Sequence, residues 1–298
     1  MKTWNGIYTA LVTPFKPEGA VDYLALNQLI KQQVRSNISG LVILGSTGEA
    51  NAISSAERND LIVLCKEKLP DDKALIVGTS SGSVAQSLTF CEQAQTLGAD
   101  AVLLTPPFYA KTSQEGVKSF YHFISKHTSI PIILYNNPSR TGQVITFDTL
   151  KTLALNSSII AFKESSNDST LMHQLLLDKT ITSNLSVLVG DDMYLFSGMS
   201  LGAHGAICVM SNLLPQQVIE LFTAIQNNDL NKARELFTFI FPLIQILAQY
   251  PNPTGIKHAL AHLGEQEPHL RLPLVSLSQE EDQHLVQALS PYIATHAN

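Results

Sequence analysis

Residues 158–166 read SIIAFKESS, a short apolar run that ends on a lysine. Residues 159–162 have the β-branched and aromatic character of a strand that is buried on both faces. A lysine at the end of such a run is costly to bury without a partner, because its ammonium group is strongly hydrated. Lys163 is therefore expected to reach solvent, to pair with an acidic side chain, or to take part in chemistry.

Seven further runs of this kind occur along the chain, and most precede a segment with helical periodicity. In order, the eight runs are GIYTALVTP, GLVILGS, KALIVGTS, DAVLLTPP, PIILYNN, IIAFKES, SVLVGDD and GAICVMS. Eight apolar strands that alternate with helices predict an α/β protein of the (β/α)8 TIM barrel class. A doubly wound open sheet is the alternative, but it usually has fewer strands, and no GxGxxG motif follows the first run here.

Two of the intervening helices carry a predicted capping box, in which a hydroxyl and a glutamate three residues later bond each other's backbone. These pairs are Ser54 with Glu57 and Thr112 with Glu115. Beyond the eighth run the chain has only helical periodicity. We therefore expect a barrel domain over residues 1–225 and a C-terminal helical extension over residues 226–298 that packs on it.

Composition narrows the class of protein. The chain has 298 residues, 45% of them hydrophobic, and its formal net charge of −6 comes with 19 scattered Lys and Arg residues. This pattern argues against nucleic acid as a partner. No apolar run approaches the ~20 residues of a membrane span, and the first residues lack the apolar core of a signal peptide. Three widely spaced cysteines suggest reduced thiols, so we expect a cytoplasmic protein without membrane partners.

The active site of a barrel lies at the C-terminal ends of its strands. The residues where the eight runs stop are Thr13-Pro14, the GSTGE segment at 45–49, Thr79-Ser80, Phe108-Tyr109, Tyr135-Asn136, Lys163-Glu164, Gly190-Asp191-Asp192 and Ser211-Asn212. Hydroxyls, two tyrosines and one lysine without a metal-ligand set suggest imine chemistry, in which a neutral amine attacks a ketone and a tyrosine moves protons. The alternative is structural: Lys163 pairs with Glu49 or Glu164 at the mouth of the barrel.

Six motifs in this order carry a resemblance that covers most of the chain. They are GSTGEA, PFYAKTSQEG, YNNPSRTG, IIAFKES, GDD and PNPTGIK. Together they resemble the pyruvate-dependent class I aldolase family, whose members include dipicolinate-type synthases and sugar-acid lyases. The resemblance implies a TIM barrel and a lyase that needs no cofactor or metal.

The resemblance also implies catalytic roles for four residues. Lys163 matches the imine-forming lysine, and Tyr135 matches the tyrosine that relays protons. Ser46 takes the place of a hydroxyl that links Tyr135 to a second tyrosine. That second tyrosine matches Tyr109, which in the family reaches into the site of a neighbouring subunit. This role of Tyr109 requires at least a dimer, and the resemblance implies the homotetramer, built as a dimer of dimers, that the family commonly forms.

Four further positions are implied to bind substrate. Thr47, with the N–H groups of its turn, matches the residue that holds the pyruvate carboxylate, and Gly190 and Ile207 match positions that border the pyruvate pocket. Arg140 matches the arginine that binds the carboxylate of L-aspartate 4-semialdehyde, and a guanidinium suits that group well. The implied reaction is the condensation of pyruvate with this aldehyde in lysine and diaminopimelate biosynthesis. Ser46, where synthases often have threonine, leaves a sugar-acid aldolase as the alternative.

Some synthases of the family bind lysine as a feedback inhibitor. The matching places here hold Ser55, Arg58, Gly82 and Gln86, and Phe108 stands where a tyrosine is usual. Gln86 supplies no negative charge and Arg58 would repel an ammonium group, so we expect weak or absent inhibition by lysine.

Two other patterns resemble metal sites. His258 and His262 share a helix face, but the glutamate of an HExxH motif is missing. Asp191 and Asp192 are adjacent on an extended segment and so point to opposite sides. We expect neither pair to bind a metal and expect one of the two aspartates to cap the following helix.

Overall fold

Eight short parallel strands close into a barrel in the computed structural model, which describes residues 4–296. The strands are β1 (Gly6–Ala10), β2 (Gly40–Ile43), β3 (Ala74–Gly78), β4 (Ala101–Leu104), β5 (Ile132–Asn136), β6 (Ile159–Glu164), β7 (Ser186–Val189) and β8 (Gly205–Cys208). Each strand pairs with its neighbour in sequence, and β8 pairs with β1. The predicted TIM barrel and all eight predicted strands are confirmed.

Both faces of the strands are buried, as their continuous apolar character predicted. Along β6, Phe162 belongs to the large apolar cluster between the strands and the helices, whereas Ala161 belongs to the smaller cluster inside the barrel. On β5, Leu134 belongs to the cluster between the strands and the helices, and Ile133 belongs to the cluster inside the barrel. Since side chains alternate along a strand, the next inward positions are known. They are Tyr135 and Lys163.

Thirteen α-helices accompany the strands within the described residues. They are α1 (Tyr23–Arg35), α2 (Ser55–Lys68), α3 (Val84–Thr96), α4 (Gln114–His127), α5 (Pro138–Thr141), α6 (Phe147–Leu153), α7 (Ser169–Leu177), α8 (Lys179–Thr182), α9 (Leu195–Ser200), α10 (Pro215–Gln226), α11 (Leu230–Leu247), α12 (Thr254–His262) and α13 (Gln279–His296). Over residues 4–296, none of these helices combines the length and the apolar character that crossing a bilayer requires.

The two predicted capping boxes have different outcomes. At α2, Ser54 accepts from the N–H of Glu57 and the Glu57 carboxylate accepts from the N–H of Ser54, so this box is confirmed. At α4 the prediction is wrong by one residue. Ser113, not Thr112, is the N-cap and accepts from the N–H of Gly116. The N–H of Thr112 instead donates to Gln143 across the neighbouring loop, a tertiary contact that the local pattern does not reveal.

The chain beyond β8 is helical, with α11 packed on α10 and α13 packed on both α11 and α12. Between α12 and α13 an extended segment returns to the mouth of the barrel, where Arg271 bonds the carbonyl oxygens of Gly19 and Ala52. The division into a barrel and an extension at residue 225 stays a prediction.

Replacing Phe162 by alanine should lower the free energy of unfolding by about 3–5 kcal/mol, because the ring is fully buried between β6 and the helical layer. Urea denaturation followed by circular dichroism measures the loss. The matched control is Leu177→Ala at the end of α7, where the side chain is 77% exposed, and this change should cost at most about 0.5 kcal/mol. Equal losses in the two variants would contradict the placement of Phe162.

Candidate active site

Lys163 and Tyr135 face each other at the C-terminal end of the barrel. They are partners in the register between β5 and β6, and Lys163 Nζ lies 4.4 Å from the centroid of the Tyr135 ring. Both side chains are buried, with Lys163 only 5% exposed. An ammonium over the face of a phenol ring is attracted by the electron density of that ring. Exposure to solvent, the first of the three possibilities that the sequence left open for Lys163, is therefore excluded.

The acidic residues that could have neutralised Lys163 have other partners. Glu49 pairs with Lys257 at 2.5 Å, and Glu164 accepts from Asn136 Nδ2 at 2.9 Å. Burial raises the pKa of Glu164, and the bonds from Asn136 and Ser166 oppose this rise. Among residues 4–296 no ion pair includes Lys163. The structural explanation of Lys163 by pairing with Glu49 or Glu164 is therefore wrong.

The phenol of Tyr135 is set up to lose a proton. Burial opposes its ionisation, but the charge of Lys163 and a hydrogen bond from Asn137, with the hydroxyls of Ser165 and Ser46 nearby, together lower the pKa of Tyr135. Asn137 Nδ2 donates to the hydroxyl oxygen at 2.8 Å. A phenol with a lowered pKa exchanges protons more readily at neutral pH.

Gly190 makes room for the lysine side chain. A Cβ atom at this position would lie 2.7 Å from Lys163 Cε and 2.1 Å from Ser165 Oγ. Only glycine therefore fits beside Lys163. The buried Ser165 Oγ makes no well-aligned hydrogen bond within the described part of the chain, although it is near enough to the Tyr135 hydroxyl to lower the pKa of that group. Both hydroxyls line the cavity beside Lys163.

The GSTGE segment forms a tight turn next to this pair. Glu49 N–H donates to Ser46 at 3.2 Å, and Ala50 N–H donates to Gly45 at 3.3 Å. The N–H groups of Thr47 and Gly48 find no acceptor among residues 4–296. Successive free N–H groups in such a turn form a concave site for an anion. A short 3-10 helix at Ala50–Ala52 follows this turn directly, and α2 begins at Ser55.

Asn252 forms hydrogen bonds with both Arg140 and Thr47 of the turn. Asn252 Nδ2 donates to Thr47 Oγ1 at 3.1 Å, and the Asn252 carbonyl accepts from Arg140 Nη2 at 3.5 Å. A cavity of about 400 Å³ is lined by these three residues and by Lys163 and Tyr135. A second cavity of about 460 Å³ adjoins it and shares Ser46, Tyr135, Ser139, Arg140 and Asn252 with the first. The guanidinium of Arg140 is exposed and can receive a second anionic group.

Two predicted site residues lie apart from this group. Tyr109 is 98% exposed on a backbone with a φ of 76°, and it lines neither cavity. Within one chain it is therefore not brought to Tyr135. Ile207 is fully buried in the same apolar cluster as Tyr135, whereas its neighbour Val209 lines the cavity. Its predicted role in the pocket stays a prediction.

The residue pairs that resembled metal sites have protein partners. Asp191 accepts from the N–H of Met193 and so caps a short 3-10 turn, as predicted. Asp192 accepts from the N–H groups that follow β8, and burial raises its pKa to about 6. His258 and His262 both bond Asp282 on α13. Residues 4–296 contain no cluster of three or more side chains that could hold a metal ion.

Arg58, which was expected to repel an inhibitory lysine, is almost completely buried. Its Nη2 donates to the Gly78 carbonyl at 2.7 Å, and its guanidinium carbon lies 3.8 Å from the centroid of the Phe90 ring. Burial lowers the pKa of Arg58 to about 10, so the side chain is charged at neutral pH. Weak or absent inhibition by lysine stays a prediction.

The polar cavity residues that sequence reasoning missed include Asn137, Ser165 and Asn252. A signal for the first two was present, because each lies two residues after an inward residue of a strand. Alternation along the strand therefore directs Asn137 and Ser165 toward the side occupied by Tyr135 and Lys163. No comparable signal existed for Asn252, which is 205 residues from Thr47 in sequence.

Comparison with known proteins places the chain in one family. Residues 3–291 match the dihydrodipicolinate synthetase family. The 4-hydroxy-tetrahydrodipicolinate synthase of Protochlamydia amoebophila (strain UWE25) is 38% identical over 287 residues, which are 96% of each chain. The crystal structure of dihydrodipicolinate synthase from Aquifex aeolicus superposes with a TM-score of 0.93 at 34% identity over 97% of this chain and 98% of that chain.

A second crystal structure has the same likeness. It is the chloride-inhibited dihydrodipicolinate synthase from Acinetobacter baumannii in complex with pyruvate, with a TM-score of 0.93 at 32% identity over 97% of this chain and 98% of that one. The family match and these relatives cover nearly the whole chain, so the chain belongs to the dihydrodipicolinate synthetase family.

Proposed function

We propose that this protein is a Schiff-base lyase that condenses pyruvate with L-aspartate 4-semialdehyde to give 4-hydroxy-tetrahydrodipicolinate, in lysine and diaminopimelate biosynthesis. The observation that carries the proposal is the contact of Lys163 with Tyr135 in a cavity that Thr47 and Arg140 also line. The amine of Lys163 can react with the ketone of a keto acid, and Tyr135 can donate and accept protons. The two anion sites can hold one carboxylate from the keto acid and one from an aldehyde acid. The synthase names of the relatives support the same reaction.

The first half of the reaction uses Lys163 and Tyr135. Pyruvate enters with its carboxylate on Thr47 Oγ1 and the free N–H groups of the turn. Nζ of Lys163, in its neutral form, adds to C2 of pyruvate, and loss of water gives an imine. Tyr135 supplies the proton that leaves with the water, a role that its lowered pKa supports. The protonated imine draws electrons from C3, which then returns a proton to the Tyr135 phenolate oxygen and forms an enamine.

The second half joins the two substrates. Arg140 holds the carboxylate of the aldehyde substrate by paired hydrogen bonds. C3 of the enamine attacks the aldehyde carbon, and the new oxyanion takes up a proton. The amino group of the joined product then attacks C2 and displaces Nζ. This step closes the ring and regenerates the amine of Lys163.

Tyr109 completes the proton path from a second copy of the chain. Its side chain is 98% exposed and outside its own cavity, so in this proposal it serves the site of a partner subunit. A homotetramer built as a dimer of dimers supplies such a partner. Cys65, Cys91 and Cys208 are buried free thiols, which supports the proposed location in the reducing cytoplasm.

Borohydride reduction in the presence of pyruvate should add the pyruvate-derived group to Lys163, because it reduces the imine to a stable amine. Peptide mass spectrometry locates the adduct. Lys163→Met should give no adduct and no condensation activity. An adduct on another lysine, or none in the wild-type protein, would refute the proposal.

Arg140→Ala should raise KM for L-aspartate 4-semialdehyde by about 10- to 100-fold, because a bidentate charged contact worth about 1.5–3 kcal/mol is lost. Pyruvate capture in the borohydride experiment should change less than about threefold. Steady-state kinetics with each substrate varied in turn separates the two effects. Equal losses for both substrates, or efficient cleavage of sugar acids by the wild-type protein, would contradict the assignment.

Mixing two inactive variants tests the role of Tyr109. In a co-assembled mixture of Lys163→Met and Tyr109→Phe chains, a mixed pair contains one site with the intact lysine of one chain and the intact tyrosine of the other. Equal amounts should therefore recover roughly a quarter of wild-type activity, since half of the pairs are mixed. If Tyr109 acts within its own chain, mixing recovers no activity above the sum of the separate variants.

A further inference from the structure

The PNPTGIK motif, residues 251–257, contains a buried cation that the mechanism above does not use. Lys257 on α12 is 0% exposed. Its Nζ donates to Glu49 Oε1 at 2.5 Å and to the His269 carbonyl at 2.9 Å. The same nitrogen lies 4.1 Å from the centroid of the Phe15 ring. Lys257 lines neither cavity of the barrel mouth, whereas its partner Glu49 lines one of them, so Glu49 connects this cation to the site.

Glu49 is a buried carboxylate inside the turn that is proposed to receive an anion. It is 6% exposed, has a φ of 52° and follows Thr47 by two residues. A negative charge so close to the carboxylate site would repel pyruvate if nothing neutralised it. A buried carboxylate without a partner would also be costly to the fold. The turn therefore needs a cation on Glu49.

Two basic residues approach Glu49, and they differ in what they supply. Arg271 offers Glu49 Oε2 its backbone N–H at 3.1 Å, while its guanidinium pairs with Glu57. Lys257 supplies an ammonium. Burial lowers the pKa of Lys257 to about 8, with the charge of Glu49 opposing the fall, so this group is protonated at neutral pH.

The same motif contacts both side chains that flank Gly48. Asn252 bonds Thr47, and five residues later Lys257 bonds Glu49. We propose that Lys257 is a positioning residue: its ammonium neutralises Glu49, so that the turn at residues 45–50 can receive the pyruvate carboxylate. This inference rests on the proposed function of that turn, and it adds α12 to the elements that determine affinity for the keto acid.

The test uses Lys257→Met and Lys257→Gln in the full chain. Methionine removes the charge and the donor, whereas glutamine keeps a donor for Glu49 and is the milder change for folding. Both variants should raise KM for pyruvate by about tenfold, because an uncompensated buried charge then faces the substrate. In both, kcat and KM for the aldehyde should change less than about threefold.

A second readout separates electrostatics from general damage to the fold. Borohydride trapping at low ketone concentration should fall about tenfold with pyruvate, but less than about twofold with methyl pyruvate, which has the ketone without the charged carboxylate. Glu49→Gln combined with Lys257→Met removes both charges. This double variant should melt at a higher temperature than Lys257→Met and recover KM for pyruvate to within about threefold of wild type.

The matched control is Lys151→Met, which removes a 2.8 Å ion pair with Asp178 at the protein surface and should leave every readout unchanged. An unchanged KM for pyruvate in both Lys257 variants would overturn the inference. So would equal losses with pyruvate and methyl pyruvate, or a double variant that binds pyruvate as weakly as Lys257→Met. Absence of any adduct in the wild-type protein would instead refute the proposed function itself.

Discussion

The site depends on one contact, between the amine of Lys163 and the ring of Tyr135. It exists because β5 and β6 are neighbours in register and both residues occupy inward positions. The outward positions of the same strands bury apolar side chains against the helices, so a shift by one residue would turn the amine out of the barrel and expose the core. The packing energy of the whole barrel thus holds the reacting groups together. Gly190 completes the arrangement by leaving space for the lysine.

Much of this architecture could be predicted from the sequence. Apolar runs of strand length, separated by helical periodicity, gave all eight strands, and their ends directed attention to Lys163 and Tyr135. The Ser54 capping box was equally local and was confirmed. Thr112 was misassigned because its N–H bonds a residue of another loop. Local patterns predict what local forces decide, and a contact across the fold can override them.

The remaining features of the site arise from contacts between distant parts of the chain. Asn252 reaches Thr47 over 205 residues, and Lys257 reaches Glu49 over 208. No spacing rule connects such positions. Residue type alone was also misleading at Glu49, which the sequence offered as a partner for Lys163. The surroundings of each lysine decide which one pairs with Glu49. Lys257 is completely enclosed with Glu49, whereas Lys163 lines a cavity. That difference separates a structural lysine from one available to react.

The route of the chain back to the barrel mouth has a consequence for biosynthesis. The last strand ends at Cys208, but the residues that secure the 45–50 turn lie at 252, 257 and 271. Because a chain is synthesised from its N-terminus, all eight strands have been made about 60 residues before Arg271 is added. Lys163 is thus synthesised well before the residues that secure the neighbouring turn, and the anion site can be completed only after residue 271 has been added.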